Sequence, residues 1–225
     1  MDHPLYAVIT GDIRKSTRLP AADLVRLPDV LRKIFTELNL CEEKKGNWVK
    51  YSIFRGDSFQ LLLRPESALK SALYIRAGLR SAFPSTLASA VDCRMAIAID
   101  TIENLSENIT ESTGNAFTLS GRLLENIGKH TLMAIHTSDK AINDELNTEL
   151  ALCDEIVKRW THSQALLVPG LINENTQTLL AESFDISQSA VALKVQKLGW
   201  QAISTFLTRF ESLCNQIQQS DIYNA

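Results

Sequence analysis

Apolar positions follow two rhythms along this chain, and the rhythms divide it into strands and helices. Leu5-Tyr6-Ala7-Val8-Ile9-Thr10 is a short, nearly continuous apolar run with β-branched members. It predicts a first strand buried on both faces that stops at Gly11-Asp12. From Ala21 to about Glu43, the residues Leu24, Leu27, Leu31, Ile34, Phe35 and Leu38 recur at steps of mostly three and four with charges between them. That periodicity predicts a helix, which Pro28 should kink or restart. Two β-rich runs, Trp48 to Phe54 and Ser58 to Leu63, flank Gly56-Asp57 at the spacing of a hairpin. A second helix is predicted from about Pro65 to Ala82, with Ser85 to Ser89 as loop. A fourth strand follows over Cys93 to Asp100, then a helix over Phe117 to Ile127 ended by Gly128, and a fifth strand over Thr131 to His136.

The order strand, helix, hairpin, helix, strand, helix, strand contains a βαββαβ unit and extends it. The expectation is an α+β fold: a ferredoxin-like sheet domain with helices on one face, followed by a small all-α domain. Asp139 to about Arg159 is a further helical stretch, and beyond it the composition shifts to short polar and Ala/Leu-rich helices. The domain boundary is therefore placed near residue 150, giving segments 1–150 and 151–225.

Composition narrows the class without naming a function. At 225 residues and 45% hydrophobic content the chain can bury a core. Its 23 basic and 26 acidic residues set up no field of one sign that would advertise nucleic acid or membrane. Cys41, Cys93, Cys153 and Cys214 are too widely spaced for a metal knuckle or a dense disulfide framework. They are expected to be reduced thiols in a cytoplasmic protein. No 18-residue apolar run occurs. His3, His130, His136 and His162 show no metal spacing.

Chemistry concentrates at two Gly-Asp pairs. Asp12 follows the first strand, and Asp57 stands at the hairpin tip, 45 positions later. In a split βαββαβ sheet the first strand pairs with the strand leaving that hairpin, which brings both carboxylates to one end of the sheet. Two hard oxygen ligands suit Mg²⁺, which completes its octahedron with water and phosphate oxygens. Gly11 and Gly56 would let backbone approach a polyphosphate, while Arg14, Lys15, Ser16 and Thr17 supply cations and amides where a helix begins. A nucleotide site is one reading. The other is structural, because Gly-Asp is a common turn pair.

Asp12-Ile13 with Ser16-Thr17, then Phe54-Arg55-Gly56-Asp57-Ser58-Phe59, then Gly114 with Arg122-Leu123, resembles the class III nucleotidyl cyclase homology domain. The version Ile9-Thr10-Gly11-Asp12-Ile13 and Arg55-Gly56-Asp57-Ser58-Phe59-Gln60, with a C-terminal helix-turn-helix, resembles the SatD family. The resemblance implies that Asp12 and Asp57 hold Mg²⁺, or Mn²⁺, against a nucleoside triphosphate. It implies that Ile13 belongs to the nucleotide site, that Arg122 braces the transition state across a homodimer interface, and that Glu111 lies where an acidic residue selects adenine. Two positions depart from the cyclase pattern. Thr118 stands where a catalysing cyclase carries Asn, and Ile53 replaces the base-reading Lys. An Ile donates no hydrogen bond to a base, so the site is expected to bind nucleotide more dependably than it cyclises it. Arg122 has an equally good reading as a surface arginine capping its own helix.

Near the C-terminus, Thr176 to Phe184 and Gln188 to Val195 read as two short helices around the turn Asp185-Ile186-Ser187. Ala181 permits close crossing, Ile186 plugs the turn, Val191 packs inward and Ser187 is a good N-cap. This is the spacing of a DNA-binding helix-turn-helix, with Gln188, Ser189 and Lys194 as candidate base readers and Lys197 nearer phosphate. Residues 151–225 carry five bases against seven acids, so the module alone should bind DNA weakly, although 187–198 hold two lysines and no acid. Trp160 and Trp200 are expected to be core anchors. Three functions are compatible with these features: a nucleotide-responsive DNA-binding regulator, an active homodimeric nucleotidyl cyclase, and an interaction protein that has lost both activities.

Overall fold

A computed structural model describes residues 4–14, 16–83 and 90–224. Its sheet consists of β1 (Leu5–Ile13), β2 (Lys50–Phe54), β3 (Ser58–Leu63), β4 (Cys93–Thr101) and β5 (Met133–His136), in the order β2-β3-β1-β4-β5. β1 runs antiparallel to both β3 and β4, and β5 adds parallel to β4. The first four strands have the split βαββαβ arrangement, which establishes the α+β class.

β1 does not stop at Gly11-Asp12. It continues to Ile13, with Gly11 opposite Phe59 and Met95, and Asp12 opposite Ser58 and Arg94. Ladder pairing needs backbone neighbours rather than β-forming side chains, and both neighbours extend this far. Gly11 has a packing reason: a Cβ built there would fall 2.5 Å from Cζ of Phe59 and 2.9 Å from the Arg94 carbonyl oxygen.

Alternation along β1 sorts the core into two layers. Ala7, Ile9 and Ile13 face the main core with α1 (Ala21–Glu43) and α2 (Ala68–Ala82). Val8 faces the other way and packs with Leu62, Ile109 and Ala116 under α3 (Asn115–Asn126). Helices thus cover both faces, contrary to the one-sided expectation. The cause is that Val8 and Leu62 are apolar on the second face too. α1 is continuous through Pro28 rather than restarted there.

The helices that follow are α4 (Lys140–Val157), α5 (His162–Ala165), α6 (Val168–Ile172), α7 (Gln177–Phe184), α8 (Gln188–Lys197) and α9 (Trp200–Asn224). The Asp139 carboxylate caps α4 by accepting the Ala141 and Ile142 amides. α9 is a single helix of 25 residues where short helices were expected. Its buried Ile203, Phe206, Phe210, Leu213, Cys214 and Ile217 recur mainly at steps of three and four. One hydrophobic cluster runs from Leu5 to Ile217, and residue 150 lies inside α4.

A buried ionic network ties these layers together. Arg76 on α2 is 0% exposed; its Nε and Nη2 donate to the Asp92 carboxylate at 2.8 and 2.9 Å, and its Nη1 donates to Asp154 at 2.5 Å. Arg80 adds a bond from Nη2 to Asp92 at 2.7 Å and another from Nη1 to the Trp160 carbonyl at 3.2 Å. The second Asp154 oxygen accepts the Leu132 and Met133 amides. Burial alone would raise the Asp92 pKa, but the Arg76 and Arg80 guanidinium groups outweigh it and hold the carboxyl below its ordinary range. All four cysteines are free, and no helix among the described residues is long and apolar enough to cross a membrane.

Candidate functional site

The end of β1 and the tip of the β2–β3 hairpin meet. The loop between β2 and β3 is Arg55-Gly56-Asp57, and its first two residues lie in the left-handed region, Arg55 at φ 50° and Gly56 at φ 83°. Glycine suits that region, whereas Arg55 carries a backbone strain of about 1 kcal/mol. The turn places the Asp57 carbonyl where the Ile13 amide donates to it at 2.9 Å. Ser16, in a short 3-10 turn (Ser16–Arg18), donates its hydroxyl to Asp57 Oδ2 at 2.7 Å. Ser58 donates to the other oxygen at 3.4 Å.

Asp12 sits beside this loop, one residue from Ile13 and opposite Ser58 in register. Its partner is Arg94 on β4, directly across the ladder. Arg94 Nε donates to Oδ1 at 3.0 Å, and Nη2 donates to Oδ2, a bidentate clamp. Neither the periodicity of β4 nor its composition points to this residue. The only signal would have been the cross-strand register, which is set by topology.

A second polar seam runs on the same face of β1. Gln60 Nε2 donates to the Thr10 hydroxyl at 3.1 Å, the Thr10 hydroxyl lies 2.8 Å from that of Ser120, and Ser120 donates to the Phe117 carbonyl at 3.1 Å. This chain anchors α3 to the strand that carries Asp12. On α3, Thr118 and Arg122 are both exposed. The Thr118 hydroxyl lies 3.5 Å from the Gly114 carbonyl, and no salt bridge among the described residues engages Arg122. Glu111 is exposed in the turn before α3, held by Ser106 and Asn108 at 3.3 Å each.

Of the other expected nucleotide contacts, Arg14 donates its amide to the Asp92 carbonyl at 2.9 Å, so the loop after β1 leans on the buried arginine network. Thr17 is exposed and Ile13 is buried in the main core. Lys15 lies outside the described residues. The geometry therefore gathers Asp12, Asp57, Ser16 and Arg94 at one end of the sheet, with Thr118, Arg122 and Glu111 on or before α3.

The donor chemistry of Asp12 and Asp57 fits a divalent cation completed by water and phosphate oxygens, since each carboxylate oxygen retains a lone pair beyond its present bond. No group of three or more His, Cys, Asp or Glu among the described residues forms a metal cage. Any cation here would be held by the two aspartates and by its ligand, in competition with Arg94 for Asp12.

In the C-terminal region α7 ends at Asp185, in the left-handed conformation at φ 50°, and the Ser187 hydroxyl caps α8 by accepting the Ala190 amide at 3.2 Å. Ile186 packs against the core and Val191 is fully buried. Gln188, Ser189 and Lys197 are exposed, whereas Lys194 is half-buried and donates to the Ser163 hydroxyl at 2.9 Å. α8 is further seated by Trp160, whose indole N–H donates to the Leu198 carbonyl at 2.9 Å.

No protein-family profile and no curated protein sequence matches the chain. Solved structures similar to it include the catalytic core of a rhodopsin-guanylyl cyclase with converted specificity in complex with ATPαS, at 15% identity and a TM-score of 0.39, over 55% of this chain and 73% of that one. A bacterial light-regulated adenylyl cyclase is similar at 17% identity and a TM-score of 0.41, over 60% of this chain and 43% of that one. The monomeric guanylyl cyclase domain of the RhoGC fusion protein from the aquatic fungus Blastocladiella emersonii is similar at 14% identity and a TM-score of 0.37, over 55% and 76% of the two chains.

Proposed function

We propose that the chain is a SatD-type protein whose sheet domain, residues 1–150, binds a nucleoside triphosphate with Mg²⁺ or Mn²⁺ at Asp12 and Asp57. Its helical segment, residues 151–225, transmits that state to DNA. The observation that carries this reading is the joining of the β1 end to the hairpin tip, through the Ile13 amide on the Asp57 carbonyl and the Ser16 hydroxyl on the Asp57 carboxylate. It sets two acidic side chains from distant parts of the chain at one end of the sheet.

The bound cation would supply charge neutralisation for the phosphates. Asp12 and Asp57 would hold it, Ser16 orients the Asp57 carboxylate, and Arg94 keeps Asp12 neutralised until a cation takes its place. Gln188, Ser189 and Lys197 on the exposed side of α8 would meet DNA, with Lys194 steadying the helix on α5 as well as adding positive charge.

The exposed Arg122 favours a second reading, an active nucleotidyl cyclase in which a homodimer brings Arg122 to the partner's nucleotide. Titration of the purified chain with ATP and GTP in the presence of Mg²⁺ tests both, wild type beside Asp57→Asn. Metal-dependent binding lost in the variant supports the site, accumulation of a cyclic nucleotide selects the enzyme, and metal-independent binding refutes both.

A further inference from the structure

The two edges of the sheet are finished differently. At the β5 edge, side chains of α4 take the place of a further strand. Asn147 accepts the Ile135 amide at 3.0 Å and donates to the Ile135 carbonyl at 2.9 Å. Asn143 does the same for Thr137, just past the strand, at 2.7 and 2.9 Å. The Met133 amide goes to Asp154 at 3.3 Å. Backbone groups that would recruit another strand are thus occupied, which is how folded proteins keep sheet edges from pairing.

The β2 edge has no such cover. The bond from the Ile13 amide to the Asp57 carbonyl fixes the direction of the neighbouring ladder. Odd-numbered residues of β3 turn their amides and carbonyls to β1, and even-numbered ones turn theirs to β2. Lys50, Ser52 and Phe54 therefore bond β3, while Val49, Tyr51 and Ile53 direct their backbone groups outward. Asn39 of α1 takes the Val49 amide at 2.7 Å. The amides and carbonyls of Tyr51 and Ile53 have no hydrogen-bond partner among the described residues. Neither a proline nor a bulge interrupts this stretch, and the residue between the two is Ser52.

We propose that this edge pairs antiparallel with β2 of a second copy of the chain, about a two-fold axis at Ser52. Lys50-Tyr51-Ser52-Ile53-Phe54 is complementary to itself in that register. Tyr51 stands opposite the partner's Ile53, and Ile53 opposite the partner's Tyr51. Both are outward-facing residues, so each pair exchanges two backbone bonds and every free group is used. An aromatic residue opposite a β-branched one is a favourable cross-strand pair. Lys50 falls opposite the partner's Phe54, and no like charges face each other. Moving the axis to Tyr51 calls on the Val49 amide, which Asn39 already holds. Moving it to Ile53 calls on Arg55, which has turned into the left-handed region. The two-fold contact closes on itself, so it gives a dimer and not a filament. With five residues a side the interface is small, and the dimer is a weak, concentration-dependent one. It uses neither α3 nor α8, so it is independent of the nucleotide and DNA readings.

Sedimentation velocity of the full chain at rising concentration reads the association, and amide hydrogen exchange locates it. A reversible dimer is expected, with exchange slowed on dimerisation at the Tyr51 and Ile53 amides, which β3 leaves free. Phe54 is 37% exposed, so Phe54→Lys spares the core. It sets lysine against Lys50 at both ends of the symmetric pair and should weaken the dimer at least about tenfold. Adding Lys50→Glu turns each clash into an opposite-charge pair and should restore the affinity to within about threefold of wild type. If the double variant loses the cooperative thermal unfolding of the wild type, Ser52→Lys gives the same test, because it sets like charges against each other on the axis and should also weaken the dimer. A chain that stays monomeric overturns the proposal and leaves the edge to an extended segment of another protein. A dimer indifferent to Phe54→Lys and Ser52→Lys belongs to another face, such as α3, and overturns it too. So does a folded double variant that fails to regain the dimer.

Discussion

Replacing Arg76 by Ala removes the cation that joins Asp92 to Asp154 inside the core, and the structure allows its cost to be bounded. Three charge-assisted bonds disappear, two to Asp92 and one to Asp154. Asp92 keeps the Arg80 bond and the Cys93 amide, and Asp154 keeps the Leu132 and Met133 amides but loses its cation. Breaking a buried pair on one side costs about 3–5 kcal/mol, and the surviving bonds place this case near the lower end, at about 3 kcal/mol. For a chain of this size that lowers Tm by about 10 °C. The deficit must also depend on pH. Asp92 is held below its unfolded pKa of about 4, so its contribution is present above that value and is lost as pH falls through the folded pKa. Without Arg76 the depression is smaller, and the gap between variant and wild type therefore narrows as the solution is taken below about pH 4. Urea unfolding followed by circular dichroism at pH 7 and in acid measures both. A loss under about 1 kcal/mol at pH 7, or a gap that widens in acid, would refute an ion network that holds the layers together.

Three further outcomes follow from particular contacts. Gly11→Ala should lose about 1–3 kcal/mol in the same unfolding assay, because its new methyl group meets the Phe59 ring and backbone that cannot move far. Arg94→Gln should tighten Mn²⁺ binding in a nucleotide-containing titration while changing stability by at most about 1 kcal/mol, since the clamp on Asp12 is partly exposed. In a gel shift with genomic fragments, Lys197→Ala should weaken retention and flatten its salt dependence by about one phosphate contact, and Lys194→Ala should also weaken it. Retention untouched by Lys194→Ala would remove α8 as the DNA-contacting helix.

Much of the fold was legible because local patterns and tertiary packing agree. The apolar run at Leu5–Thr10, the hairpin around Gly56-Asp57 and the stripe Leu27, Leu31, Ile34, Phe35 and Leu38 each form the element their period predicts. The extension of β1 to Ile13 was not legible, since it depends on neighbours more than 40 positions away along the chain. Arg94 was hidden for the same reason: an arginine in an alternating strand looks like any solvent-facing residue until its register partner is known. The buried Arg76 ran against expectation because charged residues enter a core only when matched, and its matches lie 16 and 78 positions away. α9 carried a readable stripe of Ile203, Phe206, Phe210, Leu213 and Ile217, yet its polar composition masked a continuous helix. At the site, the turn residues pointed to Asp57, but Ser16 as its hydrogen-bond donor, and the anchoring of α3 through Gln60, Thr10 and Ser120, appear only in three dimensions.

The most direct measurement of the paired-carboxylate site is the free Mn²⁺ signal in electron paramagnetic resonance, followed as the full chain is added to Mn²⁺ with ATP or GTP. Loss of signal that saturates with the wild-type chain, and weakens strongly in both Asp12→Asn and Asp57→Asn, is expected if the two carboxylates share one nucleotide-bound cation. Equal Mn²⁺ uptake by all three chains, or dependence on only one of the two aspartates, would contradict it.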